Sequence, residues 1–209
     1  MSRSVISKTV VMFTMLVVGM LGVGCQSQPA EMAPQATDQL NSLRMQLFTA
    51  KMQVQEAANA ARDLNQQPRA DLTAQIQRLN TAVAALNSTK AQARSQAETY
   101  NQQTEAYFAK WDQTLKTMSE DTAERGQKRM AMAKESVERL QQDAADIRAN
   151  LAPFMAEINE ANKYLMTDTT KSGLDVVRPK LESAVRREGG VTKSIDKAVA
   201  DIDAIRNGK

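Results

Sequence analysis

The chain of 209 residues has no histidine and a single cysteine. Histidine is the commonest general base and the commonest transition-metal ligand, so both roles are closed here. With one cysteine and no histidine, zinc sites built on those residues are closed too, as are di-iron bundles of the Glu-x-x-His type. The eight glycines form neither Gly-x-Gly-x-x-Gly nor Gly-x-x-x-x-Gly-Lys, which leaves no loop to cradle a phosphate. The scattered acids include no Asp-x-Asp-x-Asp-Gly loop for calcium. Aromatic residues make up only 4%, so any core must be aliphatic and alanine-rich. These absences predict no cofactor or metal and leave only a Ser–Lys or carboxylate-pair enzyme open, so a non-enzyme without a catalytic site is the expectation.

An excess of one charge is also missing. The isoelectric point near 9.0 suggests nucleic acid as a partner. Arg3 and Lys8 precede Cys25, however, and no acid does. Setting those two aside from the 27 cations leaves 25 against 24 acids. A near-neutral chain has no broad electrostatic footprint for phosphate backbones. The densest basic stretch, Arg125-Gly126-Gln127-Lys128-Arg129, follows Glu120, Asp121 and Glu124. It reads as a solvated helix face, and no nucleic-acid partner is expected.

What is present begins at the N-terminus. Met1 to Lys8 carries two cations and no acid, and Thr9 to Gly24, TVVMFTMLVVGMLGVG, carries no charge. A basic start followed by a short apolar run describes a secretory signal. Sixteen residues rise about 24 Å as a helix, short of the ~30 Å hydrocarbon core, so length favours a cleaved signal over a membrane span. The lone cysteine falls directly after this run, at Gly24-Cys25. The segment resembles the signal of bacterial lipoproteins, in which such a cysteine is acylated and becomes the new N-terminus. It departs from that pattern in having Gly22 three residues before the cysteine, with the leucine one position earlier at Leu21. The resemblance implies a signal over 1–24, lipidation at Cys25 and a membrane partner through the acylated cysteine. Gln26, in place of Asp, implies outer-membrane sorting with the protein facing the periplasm. Residues 25–37, with Pro29 and Pro34 and little bulk, predict a flexible tether.

From Asp38 the apolar residues step by three and four, with no alternating run that reads as a strand. The first series is Leu40, Leu43, Leu47, Ala50, Val54, Ala57, Ala61 and Leu64, ended by Asn65-Gln66-Gln67-Pro68. The second runs from Leu72 through Leu86, Lys90, Ala93, Ala97, Tyr100, Thr104, Tyr107 and Trp111 to Met118. Register is then lost, and a third series starts at Ala123 and passes Leu140, Ala144 and Phe154 to Leu165. The break predicts a turn near Lys116 to Asp121, where Thr117-Met118-Ser119-Glu120 matches a capping box. Pro153 should kink the third helix without ending it. Thr167 to Gly173 reads as a turn, and a fourth series runs from Leu174 to Ile205 across Gly189-Gly190, which is a hinge or a weakened stretch of continuous helix.

The pattern predicts an all-α fold: an elongated antiparallel helical bundle or coiled coil over 38–207, with helices at about 38–66, 70–118, 120–167 and 173–206. The two middle helices, each of ~48 residues, would extend ~70 Å. Tyr100, Tyr107 and Trp111 lie on the seam and are expected in the core. Tyr107, Phe108, Trp111 and Phe154 are the candidate interaction or core aromatics. Lys90 and Thr104, polar at seam positions, are expected to set register.

Tyr107-Phe108-Ala109-Lys110-Trp111 with Leu115, then Pro153-Phe154-Met155, Glu160 and Tyr164-Leu165, resemble segments of the bacterial domain of unknown function 2959 family of helical envelope proteins. The resemblance spans roughly residues 71 to 206 and implies a helical fold and an envelope location. It departs after Tyr164-Leu165, where Met166-Thr167-Asp168-Thr169-Thr170 replaces a Lys-His-Asn-Leu-Asn-like stretch.

The expectation is thus a lipid-anchored, non-enzymatic scaffold or interaction module of the cell envelope, binding a protein partner through amphipathic helix faces. Homo-oligomerisation through the alanine seam of the first helix is a further expectation. The alternative is a periplasmic bundle that binds a lipid or apolar ligand in a cavity near Trp111 and Phe154. Lys209, after Asn207-Gly208, resembles the peptidoglycan-linked lysine of the major outer-membrane lipoprotein of enteric bacteria. That protein is a short single helix, unlike this chain, so the link is not expected.

Overall fold

The computed structural model describes residues 34–66 and 68–207, with side chains from Asp38 onward. Four helices account for nearly all of them: α1 Pro34–Gln66, α2 Thr73–Leu115, α3 Glu120–Leu165 and α4 Lys171–Arg206. No strand occurs among the described residues. Each helix packs on the next in sequence and α4 closes on α1, the ring expected when short turns join antiparallel helices. The core is aliphatic and alanine-rich. Val54, Ala57, Ala61 and Leu64 of α1 meet Ile76, Leu79 and Leu86 of α2, Phe154, Ile158 and Leu165 of α3, and Leu181, Ala184, Val191 and Ile195 of α4. All are at most 3% exposed.

Polar side chains fix the register. Antiparallel α1 and α4 are joined by Arg44–Asp203, Lys51–Asp196 and Arg62–Glu188, at 3.0, 2.6 and 2.9 Å. Arg78 pairs with Glu56 between α2 and α1 at 2.8 Å. Lys180–Glu160 and Arg187–Glu157, at 3.0 and 3.1 Å, tie α4 to α3. Most of these groups are partly solvated, so each pair adds little energy and mainly selects one alignment.

Several boundaries differ from the sequence reading for identifiable reasons. α1 begins at Pro34, four residues inside the expected tether, since proline suits a first helical turn. α2 begins at Thr73 rather than near residue 70. There the Asp71 carboxylate accepts the Thr73 N–H at 2.9 Å, and buried Gln75 accepts the Arg69 N–H at 3.0 Å, so the chain turns through 68–72. α2 stops at Leu115 and α3 starts at Glu120. No Thr117 capping box forms: Thr117 Oγ1 donates back to the Thr114 carbonyl at 2.8 Å, and Ser119 is the N-cap residue. α4 starts at Lys171 because Thr170 caps it, its hydroxyl accepting the Gly173 N–H at 3.1 Å. A Cβ on Gly173 would lie 2.5 Å from the Asp168 carbonyl oxygen, so only glycine fits this close return.

α3 passes through Pro153 and α4 through both Pro179 and Gly189-Gly190 without a break. Arg178, next to Pro179, donates to the Asn65 carbonyl at 2.8 Å and thereby satisfies an orphan acceptor at the C-terminal end of α1. The alanines of the α1 seam are covered within the chain: Ala57, Ala58, Ala60 and Ala61 are at most 1% exposed. A second copy would have to use another face.

Candidate interaction surface

The four helices do not end together. The α3–α4 register places Arg206 level with about Lys134, which faces Phe108 of α2. From about that level α2 and α3 continue as a two-helix arm over residues 107–134. Two helices cannot enclose a core, and Leu115 is the one buried residue of the arm. It lies against Gly126, where an added Cβ would fall 2.2 Å from Leu115 Cδ2, and this close approach joins the helices near the turn.

The aromatics sit on this arm. Tyr107 meets Trp111 edge-on at 5.6 Å and Phe108 edge-on at 5.7 Å, while Phe108 and Trp111 stack at 6.3 Å. Lys134 of α3 places its ammonium 5.6 Å from the Phe108 ring centre. Tyr107 is 53% exposed, and Tyr100, Phe108 and Trp111 are half-buried. The expectation that Tyr100, Tyr107 and Trp111 form core is therefore corrected. They do occupy the α2 seam, but the core of the bundle takes nothing from α2 beyond Leu86. Lys90 is exposed and no seam residue either, while Thr104 is half-buried.

Phe154 differs from the other three aromatics: it is 0% exposed, at the centre of the four-helix core. Trp111 lies level with about residue 130 of α3, which puts Phe154 ~36 Å away along that helix. At that separation the two residues do not line one cavity. Two open grooves lie between α1 and α2. One, of about 610 Å³, is lined by Glu56, Ala74, Gln77, Arg78, Thr81, Ala82 and Ala85. The other, of about 220 Å³, lies between Ser42, Met45, Gln46 and Thr49 of α1 and Thr89 and Gln92 of α2.

Buried polar groups hold helices together. Gln75 Nε2 donates to the Asp63 carboxylate at 2.9 Å, and Asn162 donates to Asn80 Oδ1 at 3.0 Å. Asp143, only 2% exposed, accepts the ammonium of Lys197, which also reaches Asp201 at 2.9 Å. Burial pushes the Asp143 carboxyl above the usual carboxylate range. Lys197 opposes that shift, and the neighbouring Asp201 adds to it. Asp201 itself is held low, first by its hydrogen bond from Lys197, and Lys197 is pushed up by both carboxylates. The periodicity put Ala144 in the seam; it is exposed and Asp143 is buried instead. The signal available in the sequence was Lys197-x-x-x-Asp201, an i,i+4 pair that needs an acid on the facing helix only if it lies inward.

Cys25 and Lys209 lie outside the described residues. Among the described residues no group of acids, cysteines or histidines gathers to hold a metal ion. No helix among them is long and apolar enough to cross a membrane. No family profile, curated protein or solved structure matches the chain.

Proposed function

We propose that the chain is a bacterial lipoprotein of the cell envelope, a non-enzymatic helical scaffold tethered to a membrane by acylated Cys25. One observation carries this reading: the single cysteine of 209 residues stands directly after a basic start and sixteen uncharged residues. In this reading the signal over 1–24 is removed, and more than one acyl chain on the new N-terminus makes anchoring stable. Gln26 favours sorting to the outer membrane with the bundle in the periplasm. The bundle then presents helix faces to a partner. Its buried polar groups, Gln75, Asp143 and Asn162, serve helix packing.

The test is the intact mass of the protein purified from the membranes of its own host, beside a Cys25→Ser variant. Loss of residues 1–24 with added acyl mass, absent from the variant, is the expected result. An unmodified chain cut elsewhere and released in soluble form overturns the reading.

A further inference from the structure

The arm and the start of α1 lie at the same end of the bundle. α1 runs antiparallel to α2, with Glu56 opposite Arg78, Asp63 opposite Gln75, and Met45 beside Thr89 and Gln92. The chain therefore enters α1 from the side toward which the arm projects. The arm continues in that direction past the end of α4, from about the level of Phe108 to Leu115.

This overhang acquires meaning only with Cys25 as the anchor, and the lipid contact proposed here rests on that reading. Nine Cα–Cα steps separate Cys25 from Pro34 and span at most ~30 Å. Pro34 then cannot stand further than that from the membrane surface. Pointing the bundle the other way would require the 33 residues of α1, about 50 Å of helix, to fit into the same gap. They do not fit. The remaining orientations place the arm toward the membrane, upright or tilted with its flank on the surface.

The arm has the side chains for such a contact. Tyr and Trp concentrate at membrane–water interfaces because an apolar ring and one polar group suit the headgroup level. Tyr107, Phe108 and Trp111 form one half-exposed cluster, and Trp111 is four residues, about 6 Å, from the end of α2. Lys110 and Lys134 flank the cluster, and long cationic side chains can lie along apolar surface with their ammonium in water. Residues 105–135 hold six cations and six acids, so the attraction comes from the rings and not from net charge. We propose that the tip of the arm rests on the lipid surface to which Cys25 is anchored, with Tyr107 and Trp111 at the headgroup level.

Trp111 is the only tryptophan of the chain, so its emission reports on this spot alone. The full acylated protein, purified from host membranes, is reconstituted into vesicles of phosphatidylethanolamine and phosphatidylglycerol, with and without brominated acyl chains. The expected result is a loss of about half or more of the Trp111 emission in the brominated vesicles, since a ring at the headgroup level touches the chain tops. The loss should be insensitive to salt and reduced in Tyr107→Ser, whose exposed ring is not needed for folding. Protein that floats with the vesicles while its emission is unquenched overturns the contact and leaves the anchor intact. Trp111 shielded from aqueous quenchers but untouched by bromolipid means that a second copy or another protein covers the cluster, and also overturns it. Failure to float with no acyl mass removes the anchor itself, and the proposal falls with it.

Discussion

Lys197→Met tests whether Asp143 is the electrostatic key of the α3–α4 seam. Asp143 is 2% exposed and its ammonium partner comes from Lys197, whose own side chain is 57% exposed. Deleting one partner of a fully buried pair costs ~3–5 kcal/mol, whereas exposed pairs contribute at most ~1 kcal/mol. With one charge inside and the other largely in water, the intermediate value of about 2 kcal/mol applies at neutral pH. Asp143→Asn keeps the shape without the charge and should cost less than ~1 kcal/mol, and the double variant should recover most of the Lys197→Met loss. The pH dependence has a definite sign. Burial raises the folded-state carboxyl of Asp143, and Lys197 counters it. Without Lys197 the folded state takes up a proton at a pH where the unfolded chain does not, so the defect of Lys197→Met should shrink as pH falls from 7 toward 5. Lys197 is raised in the fold, so its contribution persists at neutral pH and is lost only as pH rises past the ordinary lysine range. Urea unfolding followed by far-ultraviolet circular dichroism measures each quantity. A Lys197→Met variant as stable as the parent, with a coupling to Asp143→Asn below ~0.5 kcal/mol, would refute the reasoning.

The remaining predictions use the same assay. Phe154→Ala should destabilise by about 3–5 kcal/mol, while Tyr107→Ala, on the half-exposed arm, should change stability by under ~1 kcal/mol; equal losses would mean that the arm is covered within the chain. Gly173→Ala forces a Cβ against the Asp168 carbonyl and should cost about 1–3 kcal/mol. Gly189→Ala meets open space within a helix and should stabilise by ~0.5–1 kcal/mol, and a loss there would contradict a continuous α4. Gln75→Ala leaves the Asp63 carboxylate and the Arg69 N–H without the amide that joins them, at a cost of ~1–3 kcal/mol that should also raise amide exchange in residues 68–72.

Fold class and the number of helices were legible because a step of three and four residues holds over long spans, and nothing else keeps one face apolar for so long. Helix ends were less legible, since they depend on single side chains reaching backbone groups. Asp71 on the Thr73 N–H and Thr170 on the Gly173 N–H each set a start that apolar spacing does not mark. Ala144 and Asp143 illustrate another limit. A one-residue rotation of α3 exchanges them, and the deciding partner, Lys197, is 54 residues away.

The arm shows why periodicity predicts a face but not its burial. Leu79 and Trp111 stand on the same α2 stripe, yet Leu79 is fully buried and Trp111 only half-buried. The difference lies in where other helices stop. The core takes nothing from α2 beyond Leu86, and α4 ends at Arg206, level with about Phe108 and short of Trp111. Nothing local to Trp111 encodes those ends, so a seam reading extends the core along the whole of α2. The mismatch in helix length leaves these aromatic rings outside the core and partly exposed at the end from which the chain enters α1. In a bundle free in water those rings would be an unrepaid cost of ~25 cal/mol per Å² of apolar area left wet. Under the proposed anchoring at Cys25, a membrane lies within ~30 Å of Pro34 and offers the same rings a medium that can accept them.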